Sequence, residues 1–106
     1  MQSLGVVPRL WPAIVSGEKS ATIRWHEARI VPGPMRYRCD GMPERSAVVE
    51  VLRVTDLPLS EVAAHLGRQA DWPDAVLLDG MREHYPDIAL DDVVQVIEHT
   101  GANTPD

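Results

Sequence analysis

Turn signals recur at short intervals along this chain and restrict it to short elements. Pro8, Pro12, Gly17, the run Val31-Pro32-Gly33-Pro34, Gly67, Pro73 and Tyr85-Pro86 each interrupt it. Proline lacks the N–H that a continuing helix or inner strand needs, and glycine supplies the left-handed backbone of tight turns. What fits between these breaks is a series of strands with short helices among them. No internal repeat or low-complexity tract is present.

Leu4 to Val7 reads as a short strand. A short helix begins at Pro8 or Pro12 and runs to Ser16, with Gly17 in the left-handed position past its end. Pro12 is compatible with it only in the first turn. Ser20 to Trp25 reads as a strand, and Met35 to Cys39 as the strand leaving the proline-rich turn. After a loop over Asp40 to Arg45, the clearest strand is Ser46 to Thr55, a β-branched run broken by Glu50 and Arg53. A helix then opens at Leu59, with Ser60 as its N-cap, and stops at Gly67. Arg68 to Asp71 is a polar loop. Asp74 to His84 is a helix with Val76, Leu77, Met81 and Tyr85 on one face, and Asp92 to His99 returns to strand. This order predicts an α+β fold, a small β-barrel-like sheet with flanking short helices. At 106 residues it has the length of one domain, with its core over residues 4–99 and a frayed tail over 100–106.

Charge narrows the function once it is divided. Residues 1–53 carry eight basic and five acidic groups, a balance of +3, and residues 54–106 two basic and eleven acidic groups, a balance of −9. A general nucleic-acid binder is usually strongly basic, because counterion release supplies most of its affinity. A pI near 5.1 therefore argues against extended, non-specific binding. A local basic pocket for one phosphate, base or nucleoside remains open, with Lys19, Arg24, Arg29, Arg36 and Arg38 as its sequence-clustered candidates. No run approaches the ~20 apolar residues that span a bilayer. There is no N-terminal signal pattern, and the single Cys39 forms no internal disulfide. The expectation is a cytoplasmic protein away from the membrane, a monomer or weak dimer.

The densest chemical signal is Gly17-Glu18-Lys19-Ser20-Ala21-Thr22-Ile23-Arg24. Lys19 is the only lysine, beside nine arginines. A lysine crowded by positive charge or burial can release its proton, which arginine cannot. Strand alternation puts Ser20, Thr22 and Arg24 on one face, lining a polar surface, and Ala21 and Ile23 on the core side. Two roles stay open for Lys19. It can act as general base for the Thr22 hydroxyl, which is otherwise a poor nucleophile. It can instead join Arg24 in holding a phosphate or carbonyl while Thr22 donates a hydrogen bond. A solvated turn lysine is the ordinary third reading. The sequence has no glycine-rich phosphate loop, no nucleophile-elbow serine and no paired cysteines. Its four histidines lie far apart, and Glu61 with His65 lacks a third ligand, so neither a metal nor another cofactor is expected.

This segment, followed by Val31-Pro32-Gly33, Tyr85-Pro86 and the closing strand Val96-Ile97-Glu98, resembles the ASCH domain (activating signal cointegrator homology), in order from about Leu10 to His99. The resemblance implies a PUA-like β-barrel with flanking helices and a cleft for RNA or a modified nucleoside. Some small bacterial ASCH proteins are amidohydrolases that remove the acetyl group from N4-acetylcytidine, using a lysine, a threonine and a later glutamate. Lys19 and Thr22 match the first two positions and Arg24 the arginine of the motif. The glutamate falls near Ala70 or Asp71, where Asp71 stands in with a shorter reach. The acidic residue that often follows the arginine is replaced here by Trp25-His26, and Trp25 is suited to stacking on a base. The resemblance therefore implies RNA or nucleoside binding, for which Ser20, Arg24, Trp25 and Arg38 are the candidate residues here, or hydrolysis with Lys19 as base, Thr22 as nucleophile and Asp71 or another carboxylate in the third role.

Overall fold

A computed structural model of the chain describes residues 1–101. Five strands and three short α-helices follow one another: β1 (Gln2–Val6), α1 (Trp11–Ser16), β2 (Ala21–Arg24), β3 (Gly33–Cys39), β4 (Ser46–Pro58), α2 (Val62–Leu66), α3 (Asp74–Arg82) and β5 (Val93–His99). Single 3-10 turns, Pro8–Leu10 and Leu59–Glu61, lead into α1 and α2. The strands form one mixed sheet in the order β1-β3-β4-β5-β2. The fold is thus α+β, as the order of sequence signals implied. The expected tail falls mostly on residues 102–106, outside the described residues.

The chain divides into two compact units. Among the described residues, one comprises residues 1–22, 28–54 and 97–101, the other residues 23–27 and 55–96. In the first, β1 pairs with β3 in parallel, Gln2 opposite Met35 through Val6 opposite Cys39. β3 pairs with β4 antiparallel, Gly33 opposite Val51 through Arg38 opposite Ser46. The alternation turns Met35, Tyr37 and Cys39 inward, and Arg36 and Arg38 outward. Leu4, Val6, Ile14, Ile30, Val49, Val51 and Ile97 join Met35 and Tyr37 in one apolar core, with Trp11 packed at its border. Without a phenylalanine to fill it, this core is built from branched aliphatics around a single buried tyrosine.

In the second unit, Leu59, Val62, Leu77, Met81, Ile88, Val94 and Val96 form a separate core, against which Ile23, Trp25, Trp72 and Tyr85 pack. α3 contributes Leu77 and Met81 one turn apart, and Tyr85 continues the stripe past its end. Val76, expected on this face, is exposed. It lies about 100° around the helix from Leu77, which already takes the inward position. Ser60 does not cap a helix either. Its N–H donates to the Leu90 carbonyl (2.9 Å) and that of Leu59 to the Asp92 carbonyl (2.9 Å). These donors are therefore satisfied by the chain entering β5, and no side-chain cap is needed.

Candidate functional site

The first unit places Lys19 on a turn held from several sides. Pro12 lies in the first turn of α1, where its missing N–H costs nothing, and Gly17 ends the helix at φ 82°. The Gly17 N–H donates to the Ile14 carbonyl (3.2 Å), and the Lys19 N–H reaches back to that of Ala13 (2.9 Å). Gly17 also faces Gly101 closely: a Cβ on Gly101 would stand 3.2 Å from the Gly17 Cα. The His99 N–H donates to the Ser20 carbonyl (2.9 Å), tying the turn to the end of β5. On this support the Lys19 ammonium folds over its own strand and donates to the Ala21 carbonyl at 2.8 Å.

Beside this turn lies a buried polar pair that the sequence reading passed over. Tyr37, fully buried, has its hydroxyl 2.8 Å from His99 Nε2, and His99 Nδ1 lies 2.7 Å from the Thr100 carbonyl. A carbonyl only accepts, so Nδ1 carries the hydrogen, and in the neutral ring Nε2 accepts from the Tyr37 hydroxyl. Burial pushes the His99 imidazole below its ordinary value of 6.5. The bond to Thr100 works against that, and the Lys19 ammonium is near enough to add to the lowering. Thr22 is buried too, at 4% exposure, so strand alternation does not present it on an open polar face. Ala21, expected in the core, is only half-buried, and Ser20 is exposed. Arg38 stands exposed on β3, opposite Gly5 and Ser46.

The second unit holds the remaining candidates. Arg24, with its side chain 14% exposed, meets the Glu27 carboxylate at 3.5 Å. Arg24 thus has its carboxylate partner from three residues on rather than from the next position. Glu27 also accepts a hydrogen bond from the Tyr85 hydroxyl. Burial raises the Tyr85 phenol to about 12, with the Glu27 hydrogen bond and charge adding to the rise, so it stays protonated and a donor. Trp25 is packed between two rings. His26 stacks on it with centroids 3.8 Å apart and planes 24° from parallel, and Tyr85 meets it edge-on at 6.0 Å. His84 lies 6.3 Å from Tyr85. His26 has φ 56°, the only positive φ outside glycine among the described residues. Asp71 sits apart in the loop after α2, exposed, with its carboxylate 3.6 Å from Arg68. Arg68 in turn lies over the Trp72 ring at 5.4 Å.

The structure thus gathers the sequence-derived residues into two groups, Lys19 and Thr22 in one unit and Arg24 with Trp25 in the other. It adds His99, Tyr37, Glu27, Tyr85 and His26. Only Glu27 had a local signal, three residues after Arg24. Among the described residues no group of three or more His, Cys, Asp or Glu is arranged to hold a metal ion, and no helix is long and apolar enough to cross a membrane.

No family model matches the sequence, and no curated protein is similar to it. Solved structures do share its fold. The ASCH protein of Zymomonas mobilis superimposes with a TM-score of 0.67 at 12% identity, over 92% of this chain and 64% of that one. A substituted form of the same protein gives 0.67 at 14% identity, over 92% and 67%. A DUF984 protein of Enterococcus faecalis gives 0.59 at 17% identity, over 92% of this chain and 74% of that one. The chain therefore spans slightly under two thirds of the Zymomonas protein's length. The likeness is one of fold: the chain has an ASCH-like architecture.

Proposed function

We propose that this chain binds RNA or a modified nucleoside, recognising a base beside Trp25 and anionic or carbonyl groups through Arg24. The observation that carries this reading is the aromatic group of the second unit, where Trp25, His26 and Tyr85 are gathered around the Arg24–Glu27 pair. Bases stack on such rings whatever their sequence, and the adjoining guanidinium and carboxylate offer a donor and an acceptor to a base edge. The first unit by itself offers the half-buried Lys19, the exposed Ser20 and the Arg38 cation as polar groups. The acidic balance of the chain favours a small ligand or short segment over extended nucleic acid.

Hydrolysis of an acetylated nucleoside is the second reading. It rests on Lys19 and Thr22 lying in one unit with the neutral imidazole of His99 near the lysine. The burial of Thr22 weighs against an attacking hydroxyl, and the salt-paired surface position of Asp71 against a catalytic acid. Calorimetric titration with cytidine and a short single-stranded RNA, alongside cytidine release from N4-acetylcytidine, separates the two. Binding should weaken by about 1–3 kcal/mol in Trp25→Ala and survive Lys19→Arg, which keeps the charge. Turnover abolished by Lys19→Arg would instead make Lys19 a base and the protein a hydrolase. Absence of both binding and turnover would end both readings.

A further inference from the structure

Trp25 is not an open platform. The Tyr85 ring stands nearly perpendicular to it with centroids 6.0 Å apart, and the His26 ring stacks on it near-parallel at 3.8 Å. His26 is itself exposed and holds a left-handed backbone that a side chain with a Cβ adopts at a cost. Strained residues of this kind persist where something offsets them and concentrate at ligand sites and switches. What offsets the strain here is the stack on Trp25, an arrangement between adjacent residues that an extended strand could not make, since successive side chains point to opposite faces. The imidazole has the planarity and polar edge of a small heterocycle, and it lies beside Arg24 and Glu27, which can meet the polar edge of such a ring.

We propose that His26 occupies the place of the ligand's base: a nucleobase stacks on Trp25 by displacing the His26 ring, and the turn relaxes from its left-handed conformation as the ring leaves. This rests on the nucleoside-binding reading and adds its base subsite and a residue that sets its affinity. The stack and the backbone strain act in opposite directions. The stack holds His26 in and competes with the base, and the strain favours its release. The subsite therefore selects ligands whose ring stacks better than an imidazole, which purines and pyrimidines do by their larger or more polarised faces. A ligand without an aromatic ring gains nothing there.

The test uses the intact protein, cytidine and adenosine as probes, and the variants His26→Gly and His26→Asn. Both replacements accept a positive φ and remove the ring, so the second guards against a change in chain flexibility in the first. Removing the competitor should tighten both nucleosides by about two- to ten-fold, the worth of one aromatic pair. In the unsubstituted protein the His26 ring protons, shifted upfield by the indole, should move downfield as adenosine is added. Weaker binding in both variants would mean that the base stacks on His26 itself, and the proposal would fall. Unchanged affinity, with binding still lost in Trp25→Ala, would leave nucleoside binding standing and remove the displacement. If neither variant nor the unsubstituted protein binds either probe, the nucleoside reading fails and the subsite with it.

Discussion

The two polar groupings of this molecule are built on opposite plans. In the first unit Tyr37 and His99 are buried, with the Tyr37 hydroxyl on His99 Nε2 and His99 Nδ1 on the Thr100 carbonyl. In the second, Trp25, His26, Glu27 and Tyr85 lie at or near the surface, held by ring stacking, a salt pair and a strained turn. Buried hydrogen bonds tolerate little change, because an unmade one leaves a desolvated group without water to replace its partner. Stacked surface rings tolerate exchange, since a ring of similar size can take the same position. One region is held by buried hydrogen bonds and the other by contacts between surface rings.

The largest effect that would sharpen this contrast is on stability. Tyr37→Phe removes the donor to a buried imidazole nitrogen and should cost about 1–3 kcal/mol in urea unfolding. At roughly 4–8 °C per kcal/mol for a chain of this size, the melting temperature should fall visibly. A loss below half a kcal/mol would show that His99 finds another donor and that the first region is as adaptable as the second. The next effect is pH-dependent. Because burial lowers the folded-state value of His99 from 6.5, stability from this group is complete above 6.5. It declines as pH falls below that value, where the unfolded imidazole takes a proton that the folded one refuses. The slope should approach but not exceed about 1.4 kcal/mol per pH unit. His99→Gln should flatten this contribution to denaturation curves between pH 7.5 and 5.5, and an unchanged slope would place its origin elsewhere. The smallest effect belongs to the surface. Tyr85→Phe should shift stability by less than about 1 kcal/mol, since Glu27 is then rehydrated. A larger loss would mean that the second region is rigid as well.

The parts of the fold legible in sequence were those decided by local chemistry. Gly17 marks a helix end because only a left-handed residue closes α1 there, and the valine run of β4 has little choice but strand. Pro12 was ambiguous until placed in the first turn, and β4 runs on to Pro58 because proline is tolerated at a strand end. Thr22 was read from alternation as polar-facing, but alternation assigns a face and not which face is covered. The Tyr37–His99 pair was illegible because 62 residues separate its members, and nothing local to either marks a buried hydrogen bond. The stacking of His26 on Trp25 was hidden for another reason: it accompanies a positive φ at His26, which is uncommon outside glycine and has no signal in residue type alone. Lys19 and Arg24 were found from residue type and spacing, and the partners shown for them, the Ala21 carbonyl and the Glu27 carboxylate, lie within three residues of each.

Cys39 sits inward on β3, 2% exposed and the only thiol in the chain. A thiol reagent can reach it only when its surroundings open, so the labelling rate is a clock that the folded chain runs at the position of β3.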